Sequence, residues 1–224
     1  MSFLVSVLVP SRGRVEQLKK SLESLLATCD LALGKQLEII IRIDNDDRET
    51  ENFLLSHPQL FTTMIHGHRE KGRADLHHMY NEMCRLARGR FFFMWSDDAT
   101  MLTPGWDLEI AQHDDGKLCY LRSSVDDSRG RDQFLFPIVH RSYYDVLGHF
   151  SRSSHNDMYV FSALKSWPNV FRNTDIVINQ RVLSANAEVH AAANALWDGD
   201  EIQAGLQEDV RRIDWLLKQQ TDTT

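Results

Sequence analysis

The twelve residues Phe3-Leu4-Val5-Ser6-Val7-Leu8-Val9-Pro10-Ser11-Arg12-Gly13-Arg14 decide the fold. Residues 3–9 are apolar apart from Ser6, the continuous character of a strand covered on both faces. After the polar turn 10–14, Val15, Leu18, Leu22 and Leu25 recur at three- and four-residue steps, as one buried helix stripe does. The same alternation continues outward. Residues 37–43 form a second apolar strand ending at Asp44, and Leu76, Met79, Met83 and Leu86 mark a helix over about 72–88. Gly89 stops that helix, and the run 91–95 is a third strand. Strand, helix, strand, helix, strand predicts an α/β fold with a mostly parallel central sheet, flanking helices and right-handed crossovers.

The second half is less regular. Residues 118–123, 133–140 and 176–179 read as strands, and 142–147 and 157–166 as helices. From Asp200 onward Ile202, Leu206, Val210, Ile213 and Leu217 keep helical register, so an Asp-capped amphipathic helix closes the chain, for packing or for a partner.

With 224 residues and no repeat or linker, the expectation is one domain, 1–224, with a binding half at 1–107 and a second half at 108–224. An apolar fraction of 42% supports a folded core rather than a disordered chain. No apolar run approaches the ~18 residues of a membrane helix. Cys29, Cys84 and Cys119 are odd in number and far apart, pointing to reduced thiols and a cytoplasmic protein. A net charge of −7 argues against a dedicated nucleic-acid binder.

Open α/β sheets bind ligands beyond the carboxyl ends of their strands. The three strands are followed there by Pro10-Ser11-Arg12-Gly13-Arg14, by Asp44-Asn45-Asp46-Asp47 and by Ser96-Asp97-Asp98. Carboxylates from two strand ends at one edge repel unless cations or donors offset them. Hard oxygen donors without interleaved cysteine or histidine suit Mg²⁺ or Mn²⁺ rather than zinc. Asp and Asn are also turn and cap residues, so 44–51 reads equally well as a solvated loop apart from Asp44. Asp97 and Asp98 follow so apolar a strand that they must lie near the core, where a carboxylate needs a partner. Arg73, His77 and Asn81 share a polar helix stripe, ligand-facing or simply solvated; Arg85, Arg88 and Arg90 read as a solvated face.

In their order, these segments resemble family 2 glycosyltransferases with the GT-A fold. Residues 5–14 resemble the family's VSVIIPTYNR opening, and 41–47 its VVDDGS strand end. Asn81, the Ala87-Arg88-Gly89-Arg90-Phe91 segment and Ser96-Asp97-Asp98 resemble N…ARGEY…DDD; Thr103-Pro104-Gly105-Trp106-Asp107 resembles the following xPGW. The resemblance implies a metal-dependent, inverting transferase that moves a sugar from a nucleoside-diphosphate sugar, usually a UDP-sugar, to an acceptor hydroxyl. It further implies that Pro10, Ser11 and Arg14 line the nucleotide pocket and that Asp44 accepts from the base. Arg73 and Asn81 would stand near the donor, Asp97 on ribose or metal, Asp98 on Mn²⁺ or Mg²⁺, and Asp157 as general base. Ser96 departs from the first acidic position of D-x-D. The metal-ligand histidine of relatives is replaced by Asn179-Gln180-Arg181, with His190 the nearest substitute.

Two other classes compete: a sugar-phosphate nucleotidyltransferase, disfavoured by the single glycine after the first strand, and a non-catalytic sugar- or nucleotide-binding module. The acceptor stays open between a glycan, a lipid-linked sugar and a modified DNA base. For the last, Arg122, Arg129, Arg131 and Arg141 are the local basic strip. Tyr143, Tyr144, His149, Phe150 and Trp167 could stack on a sugar, although core filling explains most of them.

Overall fold

The computed structural model describes residues 3–68, 72–126, 135–180, 197 and 199–221, with backbone alone for 72, 73 and 221. The strands are β1 (Val5–Ser11), β2 (Leu37–Asp44), β3 (Thr63–Gly67), β4 (Phe91–Met94), β5 (Ala99–Met101), β6 (Tyr120–Val125), β7 (Ile138–His140) and β8 (Phe171–Gln180). The helices are α1 (Val15–Ala27), α2 (Arg48–Ser56), α3 (Leu76–Leu86), α4 (Trp106–Gln112), α5 (Ser142–Leu147), α6 (Asn156–Leu164) and α7 (Asp200–Thr221).

One sheet joins the strands in the order β3-β2-β1-β4-β7-β6-β8-β5. The block β3-β2-β1-β4 is parallel throughout, as the buried apolar strands require. Beyond β4 the sheet changes character: β7 pairs antiparallel with β4 and β6, and β5 antiparallel with β8, while β6 and β8 run parallel. The sheet is mixed, with its parallel part at one end.

Side-chain alternation splits the core into two layers. Val5, Val7, Val9, Ile39, Ile41, Phe91 and Phe93 face α1 and α4 through Leu18, Leu22, Leu25, Trp106 and Ile110. Leu8, Ile40 and Phe92 face the other way, onto Tyr80 and Met83 of α3, Tyr143 of α5, Val160 of α6 and Ile213 of α7. The amphipathic C-terminal helix is therefore packing, and so are Tyr143 and Phe150, both fully buried.

Several elements differ from the sequence expectations. The acidic stretch after Asp44 starts α2 rather than a solvated loop. Asp47 caps that helix by accepting from the Thr50 amide at 3.3 Å, and Glu49 and Glu51 lie in its positively polarised first turn. The helix expected over 72–88 begins as a 3-10 turn at Gly72–Asp75 and becomes α-helical only from Leu76. Strand β8 is longer than expected, β3 and β5 are additional, and part of the segment expected as a strand at 133–140 lies outside the described residues.

Arg88 and Arg90 are not merely solvated. Arg88 pairs with buried Glu38 at 3.0 Å and lies 4.3 Å over the Phe3 ring, and Arg90 pairs with Asp114 at 2.6 Å. Among the described residues no helix is long and apolar enough to cross a membrane.

Candidate functional site

Strands β1, β2 and β4 end side by side, so their following residues meet at one edge. Ser11 Oγ donates to Asp97 Oδ2 at 2.8 Å. Arg14 reaches across both carboxylates, with Nη2 2.5 Å from Asp97 Oδ1 and Nη1 3.1 Å from Asp98 Oδ2. Ser96 Oγ donates to Asp98 Oδ1 at 2.5 Å, so the serine at the D-x-D position orients the neighbouring acid. Asp97 is 1% exposed, and its Oδ1 meets Arg14 without the alignment of a hydrogen bond. Burial raises its pKa to about 6, opposed by Arg14 and Ser11 and assisted by Asp98.

Asp44 forms the second cluster. Residues two apart on a strand share a face, so Arg42 lies beside Asp44 and ion-pairs with its Oδ1. Arg12 Nη1 approaches the other oxygen at 2.8 Å and also grips Asp46, at 2.5 and 2.9 Å. Hydrogen bonds to Asp46 and Asp44 raise the Arg12 pKa. The amide of Gly13 donates to Asp47 Oδ2 at 2.7 Å, tying the turn after β1 to the start of α2.

Asp157 lies in the first turn of α6. Its link to the edge is Tyr80, whose hydroxyl donates to the Trp95 carbonyl at 2.9 Å. Burial holds that phenol well above its ordinary pKa, and Asp157, Asp97 and Asp98 each raise it further. Carboxylates from two chain segments, 97–98 and 157, therefore act on one hydroxyl electrostatically. Just before Asp157, the buried atoms Ser154 Oγ, His155 Nε2 and Asn156 Oδ1 have no hydrogen-bond partner among the described residues. Buried polar atoms are rarely left unpaired, and here three precede one carboxylate in the chain.

Asn81 does not join these groups. Its Oδ1 accepts from the amides of Phe150 and Ser151 at 2.7 and 3.2 Å, and its Nδ2 donates to the Ser151 carbonyl at 2.8 Å. It clamps the segment leading to α6 and thus supports Asp157 indirectly. Pro10, on β1, leads into Ser11 and is half-buried. The Arg73 side chain lies outside the described residues, as do His190, Arg129 and Arg131. Arg42 is a site residue that sequence reasoning does not pick out; its signal is a cation between two isoleucines of an otherwise apolar run.

The sequence from residue 6 to 154 matches the family model described as Glycosyl transferase family 2. The chain belongs to that family. This agrees with the fold and the glycosyltransferase activity that its motifs imply. Solved structures with the same fold include the mannosyltransferase PcManGT from Pyrobaculum calidifontis, in complex with GDP-Man and Mn²⁺. It is 17% identical, with TM-score 0.65, covering 96% of this chain and 70% of that one. S. aureus TarS 1-349 in complex with UDP-GlcNAc is 15% identical, with TM-score 0.63, covering 94% and 72%. A second S. aureus TarS structure is 14% identical with TM-score 0.62, and this family 2 chain spans 42% of its length. No curated protein matches the sequence.

Proposed function

We propose that this family 2 chain transfers a sugar from a nucleoside-diphosphate sugar to an acceptor hydroxyl, with inversion at the sugar carbon. The observation that carries the reading is the network at the carboxyl ends of β1 and β4, where Ser11 and Arg14 hold the adjacent carboxylates of Asp97 and Asp98. Such a strand edge is where an open α/β sheet binds its ligand.

The donor's nucleotide fits along the edge from Asp44 to Asp97, with Pro10, Ser11 and Arg14 lining it and the base accepted by Asp44. A uracil or guanine ring N–H would complement that carboxylate; a UDP-sugar is the reading carried from the motifs. Arg73 belongs to this proposal through its position before α3.

Asp97 and Asp98 suit a hard divalent cation in part. They are adjacent carboxylates carrying two negative charges against the single positive charge of Arg14. Among the described residues no three acidic, histidine or cysteine side chains are grouped to hold an ion. Asp98, with Asp97 beside it, would therefore hold Mn²⁺ or Mg²⁺ jointly with the donor's diphosphate. Such an ion neutralises charge on the leaving phosphates.

The chain's own groups do the rest. Arg14 and Ser11 hold the carboxylate pair, and Asp157 accepts the proton of the attacking hydroxyl as that oxygen bonds to the sugar carbon. The sugar–phosphate bond breaks on the opposite face, and a single displacement of this kind inverts the centre. The acceptor hydroxyl in this reading belongs to a glycan or a lipid-linked sugar.

Titration of UDP and GDP by calorimetry, with Mn²⁺ and then with EDTA, tests the reading. One nucleotide should bind only with metal, and Asp98→Ala should abolish that binding. Unchanged affinity in the variant would remove Asp98 from the site, and no binding to the wild type would favour a non-catalytic module.

A further inference from the structure

Arg42 is a charged residue with 2% exposure in the middle of a sheet whose neighbouring strand positions are aliphatic. Burying a guanidinium is costly unless each part of it is engaged. It ion-pairs with Asp44 Oδ1, donates from Nη2 to the His68 carbonyl at 2.7 Å, and approaches Glu82 on α3 at 3.4 Å. The neighbouring strand makes room for it. A Cβ on Gly67 would stand 2.4 Å from Arg42 Nη2 and 2.8 Å from Nε, so no larger residue fits without displacing the guanidinium. Gly67 pairs with Asp44 in the β2–β3 register.

We propose that Arg42, seated against Gly67, is a positioning residue that sets nucleobase specificity by holding Asp44 with one orientation at the strand edge. The proposal rests on the reading of Asp44 as the base-facing carboxylate. Arg42 engages one oxygen from beneath the site and Arg12 the other from its exposed rim, where Arg12 keeps 39% side-chain exposure. An ion-paired carboxylate only accepts hydrogen bonds. It complements a ring N–H, as in uracil or guanine, and repels the ring-nitrogen lone pair that cytosine or adenine presents in the corresponding place. A fixed carboxylate enforces that choice, and a rotating one weakens it. The fork matters as well as the charge, because a lysine ammonium cannot span Asp44 and the His68 carbonyl in one plane.

The test measures binding of UDP, GDP, CDP, ADP and inorganic pyrophosphate, with Mn²⁺, to wild type, Arg42→Lys, Arg42→Met, Gly67→Ala and Asp44→Asn. In the wild type the preferred ring-N–H nucleotide should exceed its lone-pair counterpart (UDP over CDP, or GDP over ADP). Arg42→Met and Arg42→Lys should weaken the preferred nucleotide roughly 10- to 100-fold and bring the ratio towards one. Gly67→Ala should do the same more mildly, and pyrophosphate binding should be unchanged in all three. If Arg42→Met does not fold, as judged by its melting curve, the lysine and Gly67 variants decide. A preserved ratio in a folded Arg42 or Gly67 variant, with Asp44→Asn losing it, overturns the proposal and leaves the function standing. A ratio indifferent to Asp44→Asn instead removes Asp44 as the base reader. Equal loss of pyrophosphate binding would mean that Arg42 merely supports the fold.

Discussion

The two ends of the parallel strands use the same ingredients to opposite effect. At the amino end, buried Glu38 is saturated. Its Oε1 accepts from Ser6 Oγ at 2.5 Å and from the amides of Arg88 and Gly89 at 2.5 and 3.2 Å, and its Oε2 accepts from the Arg88 side chain at 3.0 and 3.1 Å. A Cβ on Gly89 would lie 2.5 Å from Ser6 Oγ, so backbone and hydroxyl close the pocket completely. At the carboxyl end, Asp97 also has a serine and an arginine, yet one oxygen lacks an aligned donor and its pKa is raised to about 6. A saturated carboxylate builds the fold, whereas an incompletely satisfied one at an open edge marks a site.

That contrast predicts which property each end controls. At the open end, Asp157→Asn should reduce turnover by about 10²- to 10⁴-fold while leaving the donor's Kd and the melting temperature near wild type. Steady-state rates with nucleotide titration check this, and loss of donor affinity equal to the loss of rate would break the comparison. At the closed end, Glu38→Ala strands the Arg88 pairing and two buried amides. The stranded amides should make it cost about 3 kcal/mol in denaturant unfolding, with nucleotide affinity retained by the folded fraction.

The smallest effect concerns a third carboxylate, Asp209 on α7. It is fully buried, and it accepts from Tyr159 at 2.5 Å, from Arg152 at 3.0 and 3.2 Å, and from His149. Burial alone would raise its pKa, but the bonds from His149, Arg152 and Tyr159 outweigh it and bring it down to about 2. A pKa lower in the folded than in the unfolded chain gives stability that is present above pH ~4 and lost as pH falls towards 2. That contribution is about 2 kcal/mol. Unfolding curves between pH 5 and 2 for wild type and Asp209→Asn should converge at the acid end.

Much of the structure of residues 3–107 could be read directly. The apolar strands, the stripes of α1 and α3, and the acids at 44, 97 and 98 are local patterns whose periods survive in the chain. The family's short motifs conveyed less about chemistry than their order suggested. Trp106 is fully buried, its indole donating to the Leu25 carbonyl at 3.2 Å, and Asp107 accepts from the amides of Asp30 and Leu31. That motif packs α4 against the end of α1. Asn81 likewise ties down the 150–151 segment and Arg88-Gly89 holds Glu38, and nothing in one sequence separates such a clamp from a ligand contact.

By itself, the sequence determined the α/β class, the parallel half, the acidic strand ends and the family, because each is written in spacings of a few residues. Only the tertiary structure decided that β7, β6, β8 and β5 complete a mixed sheet, that Arg14 spans Asp97 and Asp98, and that Arg42 stands against Gly67 to hold Asp44. Those outcomes depend on long-range pairings, from Leu121 with Ile138 across the sheet to Arg14 with Asp98 at its edge. They depend equally on whether a buried charge finds all its partners, and no local period encodes either.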